Sequence, residues 1–348
     1  MTSNKTFLLA AGGTGGHVFP AVATAEELQK RGHRVFFATD KRGEKYLTGR
    51  GFEYKIISSA SPTGALRKRF KALFQLLFGM VQSGIYIGKI RPNVVVGFGG
   101  YPSFPPLLAA KINLLKSVLH EQNSVLGKAN RFLAKYASLT AISFSETINA
   151  KNAKLVGNPV RDEVKEIPYP PIDGKINVLI TGGSQGASLF SKVLPDILTE
   201  FADRVNVVHQ VRKEDIEEVR GKYYRAGMKF EAKSFFDDMP EQLASAHLVI
   251  CRSGASTIFE LAKVGRPAIF VPLATSAENH QHYNAKAAAD IGGGWIIPEK
   301  NFNKTAVSAM LLELLQHPQK MVDAANNIKK LNSLNAAAEL ADLIELLA

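Results

Sequence analysis

Phe7-Leu8-Leu9-Ala10-Ala11-Gly12-Gly13-Thr14-Gly15-Gly16-His17 and Val178-Leu179-Ile180-Thr181-Gly182-Gly183-Ser184-Gln185-Gly186-Ala187 carry one pattern twice in a chain of 348 residues. Each is an apolar run, then a glycine turn, then an amphipathic stretch. Strand, glycine turn and helix open a nucleotide-binding α/β unit. The glycines let the backbone approach a phosphate or sugar, and the new helix aims unpaired N–H groups at it. Two such openings predict two units, and units of this kind facing each other would make a cleft for two substrates.

Outward from these turns, short β-rich runs alternate with helical stretches, the pattern of a parallel sheet covered on both faces. Strands are expected at 7–11, 34–39, 54–57, 94–96, 117–119 and 139–142, then at 176–181, 205–211, 229–232, 247–251, 268–271 and 294–297. The boundary falls in Val156-Gly157-Asn158-Pro159-Val160-Arg161, which gives domains 1–157 and 158–334 with a hinge expected in the proline-rich 168–174. An amphipathic tail, 335–348, is expected to pack back on the first domain. The one cysteine, Cys251, excludes an intrachain disulfide and reads as a buried strand thiol. The apolar run before the first glycines is too short for a secretory signal, so a cytoplasmic location is expected.

The net charge of +12 is uneven: residues 1–157 hold 22 Lys and Arg against 7 Asp and Glu, and residues 158–348 hold 21 against 24. No acid lies between Tyr54 and His120. An anionic surface is the expected partner of the first half. Within it, Leu66–Ile90 repeats apolar residues at helical spacing behind Arg67, Lys68, Arg69 and Lys71. Only 17 residues separate Lys71 from Lys89, fewer than the roughly 20 apolar residues of a membrane span. A sheet-covering helix is one reading and an interfacial membrane patch the other; the absence of nearby acids favours the second.

The candidate chemistry gathers after strands, where open α/β sheets bind ligands. His17 follows the first glycine turn, Gly97-Phe98-Gly99-Gly100-Tyr101-Pro102-Ser103 the fourth strand, and His120-Glu121-Gln122-Asn123 the fifth. In the second half, Arg252-Ser253-Gly254-Ala255-Ser256-Thr257 opens a helix whose N–H groups suit a diphosphate. Glu260 lies farther along it, where a carboxylate could accept both hydroxyls of a ribose. Glu278 to Ala285 supplies amides and imidazoles suited to sugar hydroxyls. Asp40, after the second strand, also fits the ribose carboxylate of a nicotinamide-dependent oxidoreductase, which is the alternative reading. Asp237-Asp238 reads as a helix cap, and no Asp-x-Asp pair is present. A nucleic-acid binder is disfavoured, because no recognition-helix, aromatic-platform or zinc signature accompanies the charge.

The motifs GGTGGHVFPA, GFGGYPS, HEQN, VGNPVR, GGSQGA, FFDDM, CRSGAST-x-x-E and NHQ-x-x-NA occur in the order found in glycosyltransferase family 28. The chain resembles the peptidoglycan N-acetylglucosaminyltransferases of that family over nearly its whole length. The resemblance implies an α/β GT-B fold, two Rossmann-like domains with parallel sheets facing across a cleft. It implies inverting transfer of N-acetylglucosamine from UDP-N-acetylglucosamine to the C4 hydroxyl of lipid I, the undecaprenyl-diphospho-muramoylpentapeptide, at the cytoplasmic face of the membrane. By match to the family's donor site, Glu260 would hold the ribose, and Ala255, Ser256 and Thr257 would approach the diphosphate. Gln281 and His280 would read the sugar, and Phe236 would offer its backbone to the uracil. Ser184, Arg161, Asn123, Thr14, Gly15 and Gly16 would line the donor cleft, with Tyr101 among the substrate-binding residues. Helix N-termini and Arg161 are expected in place of a divalent cation, with no cofactor. His17 is the first candidate for the general base and Glu121 the second.

Overall fold

The computed structural model describes residues 4–62, 65–183 and 187–348. The chain divides into two units, Met1–Arg161 with Leu334–Ala348, and Asp162–Ser333. The division thus falls four residues beyond the expected 157, because the turn after Val156 still serves the first core: Val156 and Asn158 are both buried.

The first unit runs β1 (Thr6–Ala10), α1 (Gly15–Lys30), β2 (Arg34–Thr39), α2 (Lys41–Leu47), β3 (Glu53–Ile56), α3 (Leu66–Ile90), β4 (Val94–Gly97), α4 (Phe104–Ile112), β5 (Lys116–Glu121), α5 (Lys128–Leu133), β6 (Leu139–Ile142) and β7 (Ala153–Leu155). Its sheet has the order β3-β2-β1-β4-β5-β6-β7 with every pairing parallel. Such strands are covered on both faces, so they read as unbroken apolar runs rather than alternating ones. Two differences from the sequence reading stand out. β5 extends through His120 and Glu121, which therefore belong to the strand. β7 was not expected, since Ala-Lys-Leu carries no β-branched residue and forms only by pairing with β6.

The second unit runs β8 (Ile176–Thr181), α6 (Ser188–Leu198), β9 (Val205–Gln210), α7 (Ile216–Arg225), β10 (Phe230–Lys233), α8 (Met239–Ser245), β11 (Leu248–Cys251), α9 (Ala255–Val264), β12 (Ala268–Phe270), α10 (His280–Asp290), β13 (Gly294–Ile296), α11 (Lys304–Gln316) and α12 (Gln319–Ile328). Its sheet, β10-β9-β8-β11-β12-β13, repeats the first without the seventh strand. Cys251 is buried at the end of β11, and burial pushes its thiol pKa up. Arg266 is wholly buried and has no carboxylate partner among the described residues. Its guanidinium donates instead to the carbonyls of Leu243, Ala244, Val264, Gly265, Ile167 and Pro168.

A final helix, α13 (Ala336–Leu347), belongs to the first unit. Leu340, Ala341, Leu343 and Ile344 join the core that α1 and β1 build around Leu9, Val18 and Val22. Arg31 bonds Asp342 at 2.5 Å and Glu345 at 3.0 Å, and His33 meets Glu345 at 2.7 Å.

α3 combines both expectations for its segment. One stripe, Ala72, Leu76, Gly79, Ser83 and Ile87, is buried, and the helix packs on α4. A Cβ on Gly79 would lie 2.0 Å from the Ser58 carbonyl oxygen, so only glycine lets the helix sit on that loop. The opposite stripe leaves Leu66, Phe70, Phe74, Val81 and Ile85 each 61–72% exposed. By length and composition α3 could also cross a bilayer, so the length argument does not exclude a span. What ties the helix to the unit is packing: Gln82 accepts from the Ser58 amide at 2.8 Å, and Ile87 joins the core beneath the sheet.

Candidate active site

Strand order reverses between β1 and β4 in the first unit, and the loops after these two strands part there. At such a switch point an open sheet binds its ligand. The gap is a cavity of about 430 Å³ lined by Gly12, Gly13, Thr14, His17, Arg42, Ser59, Ala60, Ser61, Gly100, Tyr101 and Pro102. Glycine is required at its floor: a Cβ on Gly12 would stand 2.7 Å from Asp40 and 2.9 Å from Pro102, and Gly13 holds φ +82°. Gly15 and Gly16 form the first turn of α1 below Thr14. Arg161 lies over the ring of Phe19, 5.1 Å from its centroid.

Asp40 has no lone pair to spare for a ribose. Its Oδ1 accepts from Gly13 N at 2.8 Å and Gly43 N at 2.9 Å, and its Oδ2 from Arg42 Nε and Nη2, both at 2.9 Å. It caps α2 and braces the glycine turn, which removes one of the two features, beside the glycine turn itself, that motivated an oxidoreductase.

Glu121 is corrected as well. It is only 2% exposed. Oε1 accepts from Asn123 N and Asn123 Nδ2, both at 3.0 Å, and Oε2 from Gly127 N at 3.2 Å and Asn130 Nδ2 at 2.7 Å. A carboxylate saturated by four donors holds a loop and does not take a proton from substrate. Asn123, expected to touch the donor, spends its amide on that carboxylate.

His17 lines the cavity and its Nδ1 meets Gln122 Oε1 at 3.0 Å. Gln122 Nε2 meets His120 Nδ1 at 3.0 Å, and His120 Nε2 meets the Gly157 carbonyl at 3.0 Å. Burial is the main cause that pushes the His120 pKa down to about 4, so it stays neutral at physiological pH. Sequence reasoning singled out His17 and passed over Gln122 and Arg42. Gln122 stands in the quoted HEQN stretch, but its partner is 105 residues away.

In the second unit the order reverses between β8 and β11. After β8, Gly182 and Gly183 are described; Ser184, assigned to the donor site, lies outside the described residues. After β11, α9 begins at Ala255 with Gly254 as its cap, so Ser256 and Thr257 fall in its first turn and Glu260 in its second. Ser253 donates to the Gln281 carbonyl at 2.8 Å and accepts, through its own carbonyl, from Asn284 Nδ2 at 3.2 Å. These bonds fix the start of α9 against the start of α10. Gln281 Oε1 accepts from Leu273 N at 3.0 Å, which leaves its NH2 group for a ligand. His280 Nδ1 donates to the Ala277 carbonyl at 2.8 Å, which leaves its Nε2 for a different partner. Before this helix Glu278 and Asn279 hold φ +51° and +57°, an uncommon pair of left-handed residues. The ring of Phe236 is buried, so only its backbone can meet a base. Asp238 occupies the cap position of α8 but makes no cap bond, and its side chain accepts from Gln242 instead. Among the described residues no group of His, Cys, Asp and Glu could hold a metal ion.

Residues 7–142 match the glycosyltransferase family 28 N-terminal domain, and residues 177–345 match the family 28 C-terminal domain. The chain belongs to glycosyltransferase family 28. Family 28 relatives align over nearly the full chain. A Rhodospirillum rubrum protein is 42% identical over 97% of this chain and 90% of its own length. One from Caulobacter vibrioides is 41% identical over 98% and 99%. Both are named UDP-N-acetylglucosamine--N-acetylmuramyl-(pentapeptide) pyrophosphoryl-undecaprenol N-acetylglucosamine transferase. The crystal structure of Acinetobacter baumannii MurG superposes with a TM-score of 0.83 at 29% identity, covering 98% of this chain and 99% of that one. The calicheamicin glycosyltransferase CalG4, 17% identical with a TM-score of 0.71, shares the fold. The two Rossmann-like units are those of the GT-B architecture.

Proposed function

We propose that this family 28 enzyme transfers N-acetylglucosamine from UDP-N-acetylglucosamine to the C4 hydroxyl of the muramoyl unit of lipid I, with inversion, to form lipid II. The observation that supports it most is the placing of His17 at a switch-point cavity, in a chain whose full-length relatives are named for this transfer. The C4 hydroxyl loses its proton to His17 as its oxygen bonds the sugar C1, and the C1–O bond to UDP breaks with its electrons on the phosphate. The leaving diphosphate gains charge in that step, so the fixed N–H dipoles at the start of α9 stabilise the transition state more than the ground state. Glu260 holds the ribose, Gln281 and His280 meet the sugar, and Arg161 adds positive charge.

The acceptor is tied to a bilayer by its polyprenyl chain, and the enzyme docks on the cytoplasmic leaflet through α3. Its exposed apolar stripe enters the lipid surface beside Arg67, Lys68, Arg69 and Lys71, which meet anionic headgroups. The deciding experiment is transfer of radiolabel from UDP-N-acetylglucosamine to a short-chain lipid I analogue. No transfer by the folded protein would overturn the assignment. His17→Ala should lower kcat by about 10²–10⁴-fold with donor KM nearly unchanged, and near-normal kcat would remove His17 as the base.

A further inference from the structure

The bonds behind His17 have a direction that can be worked out from their far end. A backbone carbonyl only accepts, so His120 must present N–H at Nε2 to Gly157. Ser143 agrees, because its hydroxyl donates to the Glu121 carbonyl at 2.9 Å and its oxygen can only accept from the same His120 Nε2, at 3.4 Å. His120 is neutral, so its Nδ1 carries a lone pair and must receive a proton donor. That donor is the NH2 group of Gln122, which turns the Gln122 carbonyl oxygen toward His17. An amide oxygen accepts, so His17 carries its proton on Nδ1. The lone pair of its imidazole is then on Nε2.

We infer that Gln122, backed by His120 and the Gly157 carbonyl, is the positioning residue that fixes the tautomer of His17 with Nε2 as the basic nitrogen. The inference rests on the reading of His17 as the base. Nε2 is the ring atom next to Gly100 at the cavity wall, since a Cβ built on Gly100 would stand 3.4 Å from it. During transfer the acceptor hydroxyl gives its proton to Nε2, and His17 becomes an imidazolium that still donates from Nδ1 to Gln122. No other arrangement satisfies every atom. Turning the amide over would set its oxygen against the His120 lone pair, and His17 could keep its bond only by moving its proton to Nε2, so a hydrogen bond is lost inside a region where Gln122 is 1% exposed. The chain ends in groups that do not ionise near neutrality, so the proton stays where catalysis needs it. The other charged or titratable groups around His17 are Arg42 and Tyr101 on the cavity wall, Asp40 under the glycine turn, and Glu121 beside Gln122. Asp40 and Glu121 are held by the donors described above.

The test uses full-length protein labelled with ¹⁵N-histidine, in which ring-nitrogen shifts separate protonated from bare nitrogens. The His17 signals are assigned by their loss in His17→Ala. The parent should show N–H at Nδ1 and a bare Nε2. Gln122→Met removes the acceptor, so the His17 signals should move toward Nε2–H, and kcat should fall about 10-fold or more with donor KM unchanged. Gln122→Glu, which keeps an acceptor, should retain Nδ1–H and raise the pH midpoint of the His17 signals and of the acid limb of kcat. An Nε2–H parent, or an unmoved His17 spectrum in Gln122→Met, would overturn the inference. If Gln122→Met does not fold, an unshifted midpoint in Gln122→Glu overturns it equally. Retained activity in His17→Ala beside an Nδ1–H parent would overturn His17 as the base while leaving the tautomer assignment standing.

Discussion

Replacing Glu121 by glutamine separates a bracing carboxylate from a catalytic one. Whichever way the new amide turns, its NH2 group faces two donors: Asn123 N and Nδ2, or Gly127 N and Asn130 Nδ2. Two charge-assisted bonds are lost, at roughly 1.5–3 kcal/mol each. The neutral amide is cheaper to bury than a carboxylate, which offsets roughly 1–3 kcal/mol. Taken at mid-range these leave a net destabilisation of about 2.5 kcal/mol, and for a unit of this size that lowers the unfolding midpoint by roughly 5–10 °C. Thermal unfolding followed by circular dichroism measures it, with kcat measured well below the transition. Because the 122–130 loop carries Gln122, activity should fall along with stability. An unchanged midpoint beside abolished kcat would refute the bracing argument and return Glu121 to the list of bases.

Three further outcomes are expected. Glu260→Ala should raise donor KM by about 10–100-fold, the loss of one charge-assisted carboxylate–diol contact; an unchanged KM would take Glu260 out of the site. Changing Arg67, Lys68, Arg69 and Lys71 to glutamine should release the protein from anionic vesicles in sedimentation while UDP binding persists, each basic residue contributing about 1 kcal/mol near such a surface. Full sedimentation of that variant would make α3 a covering helix alone. For Glu299, burial by itself would raise the pKa, but the Ala274 amide at 2.8 Å and Arg252 at 2.6 Å outweigh it and hold the carboxyl below its usual range. A depressed folded-state pKa gives stability that is present above the ordinary carboxylate pKa and lost as pH falls through the folded value. Melting temperature should therefore drop less steeply on acidification in Arg252→Met than in the parent, and parallel curves would contradict this.

Both sheets were legible in the sequence because parallel strands buried on two faces are written as contiguous apolar runs, and the glycine turns that follow them have no other economical reading. What escaped was held by partners distant in sequence. β7 exists only beside β6. Asp40 and Glu121 looked like free carboxylates, because the amides that consume them come from turns no pattern announces. Gln122 was passed over because amide side chains carry no signal until their orientation is set by neighbours, here His17 on α1 and His120, which is itself set by the distant Gly157 carbonyl. The dual character of α3 was visible in part: the basic cluster and apolar repeat could be read directly, whereas the stripe that packs down needed Gly79 against Ser58 to be seen.

The placement of α13 has a consequence for how the protein is made. On the ribosome the first unit's strands emerge early, yet the helix that supplies Leu340 and Ile344 to their core is synthesised only after all of Asp162–Ser333. At roughly 5–20 residues per second, that interval is on the order of 10–40 s. Through it the face of α1 that bears Val18, Ala21, Val22 and Ala25 lacks its cover, while the second unit has every strand it needs. The first unit to be translated is thus the last to be finished, and the nascent chain presents an open apolar seam to chaperones for most of its synthesis.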